Sequence, residues 1–327
     1  MRGRHHHVRS IPETVHWGFF DAAIAPALWI ESGDTVTLDC LSGEPDDLPA
    51  EGVLPEHRAV LAACTKGPGP HLLTGPVAVR GAEPGHVLQV DILDVRLRQD
   101  WGFNKIIALR GTLPDQFPRS RHLHIPLDRA RNVARLPWGM ELPLRPFCGV
   151  MGVAPPPGWG RISSLIPRAH GGNMDNKELG PGATLYLPVF IPGGCFSAGD
   201  GHAAQGDGEV CQTALETAVT ARFRLTLRTD LTADALWGET PDALIAIALH
   251  EDLDDAAAIA TRGMIQLLQE RGGLDDEDAY TLCSLAMDLR ITQCVDGNKG
   301  VHAMFPKALL RRRARRHAAA PSRRGAK

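Results

Sequence analysis

Hydrophobic and polar residues alternate in short runs through the first two-thirds of the chain. Val36, Leu38 and Cys40 alternate with Thr35, Thr37 and Asp39, and Leu88, Val90 and Ile92 with Gln89 and Asp91. Between Val219 and Arg228, Val219, Ala221, Phe223, Leu225 and Leu227 fall on one side, and Thr220, Arg222, Arg224, Thr226 and Arg228 on the other. A period of two sends successive side chains to opposite faces, so these runs predict half-buried strands, the arginine-bearing side facing water. Glu31-Ser32-Gly33-Asp34, Glu83-Pro84-Gly85 and Gly180-Pro181-Gly182 stand just before such runs and place tight turns at strand entries. The proline-rich stretch 153–160 reads as an irregular loop near a site or between subdomains.

After Thr229 the period changes. Leu253, Ala257, Ala260, Met264 and Leu267 recur at helical spacing before Gly272-Gly273, predicting a helix that ends at the glycines. A second helix is predicted with Asp275 as N-cap, Asp278 three residues on, and a buried stripe of Leu282, Leu285, Ala286 and Leu289. The expected fold is therefore α+β and predominantly β. A β-rich body over residues 10–230 carries the active-site loops, a smaller α+β segment covers 231–310, and the basic tail 311–327 is expected to be disordered.

Composition adds boundaries to this picture. With 327 residues, 43% hydrophobic and 22% charged, the chain can bury a sizeable core. A net charge of −3 gives no reason to expect a nucleic-acid or membrane partner, and only the tail is locally basic. Seven scattered cysteines without a C-x-x-C pair suggest reduced thiols and a cytoplasmic setting. No apolar run reaches the length of a membrane span. His5-His6-His7 reads as a processing remnant and is set aside.

The densest chemistry lies at Asp200, His202, Asp207 and Glu209, interleaved with Gly199, Gly201, Gly206 and Gly208. Glycine lets a short loop bend so that several side chains point at one centre. Carboxylate with imidazole is a ligand set for zinc or another divalent ion, and a spare carboxylate beside it serves as general base; the alternative is a Gly-Asp turn whose acids cap backbone amides. A second polar cluster is His170-Gly171-Gly172-Asn173-Met174-Asp175, which also fits an Asx-rich hairpin. His71 stands alone between two rigid turns. Cys195, four residues before Gly199, is either a thiolate nucleophile or an inert buried cysteine.

At these residues the sequence resembles the acetamidase/formamidase family, from about Val15 to Met304. The matching stretches are His71-Leu72-Leu73-Thr74-Gly75-Pro76-Val77, Arg80-Gly81-Ala82-Glu83-Pro84-Gly85, Gly171-Gly172-Asn173-Met174-Asp175, and Gly199-Asp200-Gly201-His202 through Gln205-Gly206-Asp207-Gly208-Glu209-Val210. The resemblance implies a β-sandwich or β-barrel body with a smaller C-terminal α/β part, and homo-oligomers, dimeric or larger. It implies hydrolysis of formamide, acetamide or a related small amide, with γ-lactams as an alternative substrate class. A divalent metal is implied, zinc first, calcium or manganese otherwise. Asp200, His202 and Glu209 would hold it; Glu209 or Asp207 would relay the proton; Asn173 and Asp175 would position the amide or complete the metal shell. His71, Gly172 and Cys195 would line the substrate pocket. Cys195 departs from the family, because Gly193-Gly194-Cys195-Phe196 stands where relatives show Gly-Ala-Leu-Phe. A non-catalytic binding protein on the same fold is the alternative from another class.

Overall fold

The run from Val219 to Arg228 forms one long strand, and its alternation turns Val219, Ala221, Phe223 and Leu225 into the main core. A computed structural model describes residues 3–232 and 235–310 of the chain. Strand Val219–Arg228 pairs antiparallel with Thr35–Cys40 on one side and Val87–Leu97 on the other, the three runs that the sequence pattern predicts as strands. They lie in a nine-stranded sheet that continues through Thr184–Pro188, Trp237–Glu239, Ala243–His250, Lys299–Pro306 and Asp288–Gln293. The predicted turns close as expected, with Asp34 N–H on Glu31 O, His86 N–H on Glu83 O, and Ala183 N–H on Gly180 O.

A second, eleven-stranded sheet packs face to face on the first. At its centre Phe196–Ala204 pairs with Phe147–Gly152, Leu72–Val79 and Leu215–Glu216; Gly171–Asn173 lies beyond the first of these and Trp101–Ile106 beyond the last. Val36, Leu38, Val90, Phe223 and Leu225 from the first sheet meet Val77, Met151, Phe196 and Ala198 from the second in one buried cluster. The Phe196 and Phe223 rings meet edge to face at 5.3 Å, and burying each stabilises the sandwich by about 1.5–3 kcal/mol.

The strands after residue 231 extend the nine-stranded sheet, so segments 10–230 and 231–310 share it. Strand Ala243–His250 turns Ile245 and Ile247 into the sandwich core and Leu244, Ala246 and Ala248 toward the helix Leu253–Gly272. That helix is capped by the Asp252 side chain and ends at Gly273, whose φ of +60° is the left-handed conformation that glycine takes without steric cost. The second helix, Asp276–Ala286, has the predicted Asp275 N-cap, which accepts from Asp278 N–H at 2.8 Å. Its predicted stripe is corrected: the buried residues are Ala279 and Cys283, while Leu285 is 77% exposed and Leu289 belongs to the following strand. Leu282 and Ala286 of the predicted stripe are partly buried and pack beside Ala279 and Cys283, so the correction concerns Leu285 and Leu289.

Two further expectations change. The stretch 153–160 contains a short 3-10 turn, Pro157–Trp159. The His5-His6-His7 tract is part of the fold, as strand His5–Val8 paired in parallel with Thr35–Cys40, with His6 on Asp34 at 3.0 Å and His7 on Asp39 at 3.1 Å. All seven cysteines are free, and among the described residues no helix is long and apolar enough to cross a membrane. The basic tail 311–327 lies outside the described residues.

His16 and His170 are buried against Phe20, with no hydrogen-bond partner on either ring nitrogen. Burial pulls His16 down to about 4 and His170 to about 3. Below the ordinary histidine range the unfolded chain therefore binds protons that the folded chain refuses, and stability falls as pH drops from about 6.5 toward 4. Each histidine contributes up to about 1.4 kcal/mol per pH unit in that window. Urea unfolding followed from pH 7 to pH 4 should show this slope, and it should flatten in His16→Phe and His170→Phe.

Candidate active site

Asp200 and His202 are two residues apart on strand Phe196–Ala204. The strand runs close to both neighbours: a Cβ on Gly201 would lie 2.5 Å from Thr217 O. Glycine is needed there for close approach and not for a bend: of the four glycines only Gly208, beyond the strand, takes a positive φ, at +96°. The left-handed residues are instead the acids themselves, Asp175 at φ +49°, Asp200 at +54° and Glu209 at +45°. Non-glycine residues in this region carry strain that the surrounding fold must hold, a feature concentrated at functional sites.

Other elements complete the cluster. Glu216 ends the strand Leu215–Glu216, Ser42 follows Thr35–Cys40, His71 precedes Leu72–Val79, and Asp175 follows Gly171–Asn173. The loop 205–212 brings Glu209 inward and is tied to segment 292–296 by Gly208 N–H on Thr292 O and Cys294 N–H on Gly208 O, which carries Asp296 to the same place. His202 Nε2 lies 3.0 Å from Asp200 Oδ2, 3.2 Å from Glu216 Oε2 and 3.8 Å from Asp175 Oδ1. The Ser42 hydroxyl is 3.0 Å from both Asp200 Oδ1 and Glu216 Oε2, and its one proton serves either. Gly149 forms the floor: a Cβ there would stand 2.4 Å from Asp175 Oδ1, 2.7 Å from Asp200 Oδ2 and 2.8 Å from His202 Cε1.

Hydrogen bonds assign the histidine nitrogens. The Gln205 amide donates to Asp175 O at 2.8 Å, so its oxygen faces His202 Nδ1 at 2.9 Å and accepts from it. That leaves His202 Nε2 for the carboxylates or for a cation. His71 Nδ1 is 3.2 Å from the Ser164 carbonyl, which only accepts, so Nδ1 carries hydrogen and Nε2 faces Asp200 at 3.7 Å.

Five carboxyls are packed here: Asp175, Asp200, Glu209, Glu216 and Asp296 are each 7% exposed or less. Burial disfavours the charge on His202, but Glu216 and Asp200 outweigh it and hold its proton well above the ordinary histidine range. Burial likewise opposes ionisation of Asp200, and His202 and His71 overcome it to hold that carboxyl below the usual range. Glu216 is pushed up to about 7 by burial and by Asp200. Burial, reinforced by mutual repulsion, lifts Glu209 and Asp296 well above the ordinary carboxylate range, and burial raises Asp175.

As ionised groups, both oxygens of Asp175, Glu209 Oε2 and Asp296 Oδ2 have no hydrogen-bond partner. Buried carboxylate oxygens in that state demand either shared protons or a cation. Three sets have ligand atoms within 4.8 Å of one another: Asp175, Asp200 and His202; His202, Glu209 and Glu216; Asp175, Glu209 and Asp296. The first two mix oxygen and nitrogen, as zinc or manganese sites do; the third is all oxygen, as for calcium. These groups can bind a metal ion. The five carboxyl residues form the floor of a cavity of about 350 Å³.

With this geometry in view, the comparisons decide the family. The acetamidase/formamidase family model matches residues 7–158 and 162–240. The chain belongs to the acetamidase/formamidase family. A formamidase from Methylophilus methylotrophus is 32% identical over 196 residues, 43% of this chain and 47% of that one. The chain spans about half the length of the curated relatives it matches. Among solved structures, an acetamidase from Bacillus halodurans superposes with a TM-score of 0.81 at 28% identity, covering 94% of this chain and 99% of that one. An acetamidase from Yersinia enterocolitica gives 0.83 at 30% identity, with 95% and 94% covered. The mostly β fold with few helices is thus that of acetamidase structures.

Within this family fold the residues singled out from sequence separate into two groups. Asp200, Glu209, Asp175, Asn173 and His71 line the cavity, and His202 joins Asp175 and Asp200 in the cluster. Asn173 donates to Leu165 O at 3.3 Å and keeps its Oδ1 unpartnered. Asp200 and Glu209 each join His202, but in different ligand sets. Asp207 turns away: it pairs with Lys177 at 3.1 Å and lines an adjoining cavity. Gly172 lies beside the His170 ring, where a Cβ would meet Nε2 at 3.0 Å. Cys195 packs with Ala78 and Ala154, and burial lifts its thiol to about 11, far from a thiolate nucleophile at neutral pH.

Sequence reading missed Glu216, Asp296, Ser42 and Gly149. Asp296 sits in Val295-Asp296-Gly297-Asn298, which reads as an ordinary turn, and nothing in the run around Glu216 or Gly149 announces chemistry. Gln205 was within a matching stretch but had no role until its two bonds were seen. The Gly149 floor gives a direct test. Gly149→Ala should weaken divalent-cation binding, measured by calorimetry, at least tenfold, because the new methyl displaces two carboxylates. Gly158→Ala, where nothing lies within 4 Å, should leave binding unchanged.

Proposed function

We propose that the protein is a metal-dependent amidase that cleaves the C–N bond of small linear amides to ammonia and a carboxylate. The observation that carries this reading is the buried set of acids on the floor of the cavity, clustered with His202 and with carboxylate oxygens that lack partners, in a chain of this family. Asp200, His202 and Glu216, with Asp175 beside them, would hold a divalent ion, zinc or manganese by its donor set, which supplies Lewis-acid polarisation of the amide carbonyl and a more acidic water.

The remaining chemistry belongs to the chain. Asn173 Oδ1 accepts from the amide N–H and sets the direction of the leaving nitrogen. Amide nitrogen leaves poorly unless protonated, so a carboxyl must deliver a proton as the bond breaks. Glu209 is that carboxyl: burial and the neighbouring Asp175 and Asp296 keep it protonated, and it lines the cavity. The Asp175, Glu209 and Asp296 set takes one proton from the attacking water and gives one to the nitrogen, so protons balance. Gln205 holds His202 in place through Nδ1. Asp207, engaged with Lys177, has no part in this scheme. Homo-oligomeric assembly belongs to the same proposal and is read by light scattering.

Ammonia release from formamide, acetamide and propionamide, before and after chelation, tests it. Release should vanish with chelator and return with one divalent ion. His202→Ala should lose bound metal and turnover together, and Glu209→Gln should lower kcat by about 10²–10⁴ with metal still bound. Full activity in metal-free protein, or in His202→Ala, would overturn the reading.

A further inference from the structure

The cavity above the acid cluster is larger and more polar at its mouth than acetamide requires. Acetamide has four non-hydrogen atoms, whereas about 350 Å³ falls within the range of pockets that bury far larger ligands, about 300–1,000 Å³. Between floor and mouth the lining is mixed, with apolar Phe103, Ile107, Leu165 and Pro70 beside polar Gln212 and Thr213. The mouth carries three cations. Lys105 is neutralised by Asp47 at 2.8 Å and Lys66 by Glu44. Arg110 also lines the cavity, and among the described residues no carboxylate pairs with it.

Arg110 is held in register with the floor. Its N–H donates to Ile107 O at 3.1 Å, closing a turn, and Thr112 donates to Val210 O from both its N–H (2.9 Å) and its hydroxyl (3.2 Å). A Cβ on Gly111 would stand 2.9 Å from the same oxygen, so the turn lies against the residue that follows Glu209. The pocket is thus acidic at its floor, partly apolar along its walls and, at its mouth, lined by one arginine with no carboxylate partner among the described residues. Arginine's planar fork suits a carboxylate.

Building on the amidase reading, we infer that the substrate is an amide whose acyl chain ends in a carboxylate, with the carbamoyl group at the acid cluster and the carboxylate on Arg110. The methylene chain between them lies along Phe103, Ile107 and Leu165.

The test compares kcat/KM for malonamate, succinamate, glutaramate and adipamate with that for neutral straight-chain amides of matching length. At the length that spans the cavity the carboxylated amide should be preferred about tenfold or more, the size of a charge-assisted contact. Arg110→Gln should bring that ratio close to one, and Arg110→Lys should keep part of it. Equal rates at every length, or a preference that survives Arg110→Gln, would overturn the inference while leaving the amidase reading intact. If no amide is cleaved, the amidase reading fails, and calorimetry with glutaramate still decides the inference. Binding lost in Arg110→Gln supports it; binding equal in both proteins, or absent from the parent, overturns it.

Discussion

Five carboxyls and an imidazole share one buried point, and the rest of the site is organised by the cost of keeping them there. Desolvating a single ion costs several kcal/mol, and like charges a few ångströms apart add to it. Part of that cost is met within the cluster: His202 lies within 3.2 Å of Asp200 and Glu216, Ser42 bridges the same two, and Ala214 N–H donates to Glu216 Oε1. The other part is not, since Asp175, Glu209 and Asp296 keep oxygens without a donor. Shared protons or a cation would offset that cost, and the proposed amide hydrolysis would use both.

The fold meets the constraint by fixing the backbone first. Stacked sheets give a rigid frame: Asp200 lies within a strand, Glu216 ends one, Asp175 and Asp296 follow strands and Glu209 sits on a loop, with three of the five in the left-handed region. Gly149 clears the floor and Gly201 brings strands close, so the side chains meet over a short distance. The same loop that presents Glu209 is stitched to segment 292–296 and, through Val210, to the turn bearing Arg110. The loop that carries Glu209 and the turn that carries Arg110 are therefore linked by backbone hydrogen bonds.

What was legible in the sequence is what depends on neighbours along the chain. Alternation at 35–40 and 219–228 is a local pattern, and so are the caps at Asp275 and Gly273. Asp200, His202 and Glu209 stand out because glycine and acid crowd one short stretch. Glu216 and Asp296 do not, because each is a lone acid in an unremarkable run, and only strand register and the bridge at Gly208 carry them inward. The same limit explains Asp207: sequence proximity to Glu209 says nothing about the side chain's direction, and it pairs with Lys177 in the adjoining cavity. The histidine tract at 5–7 failed for a related reason. Its strand exists only through a parallel partner thirty residues away.

The central claim is that this acid and histidine cluster is a cation site. The most direct measurement is anomalous scattering from crystals grown with manganese or zinc. The account predicts a strong peak bounded by Asp175, Asp200, His202 and Glu216, with the cation in contact with His202 Nε2. Crystals of active protein without such a peak there would contradict it.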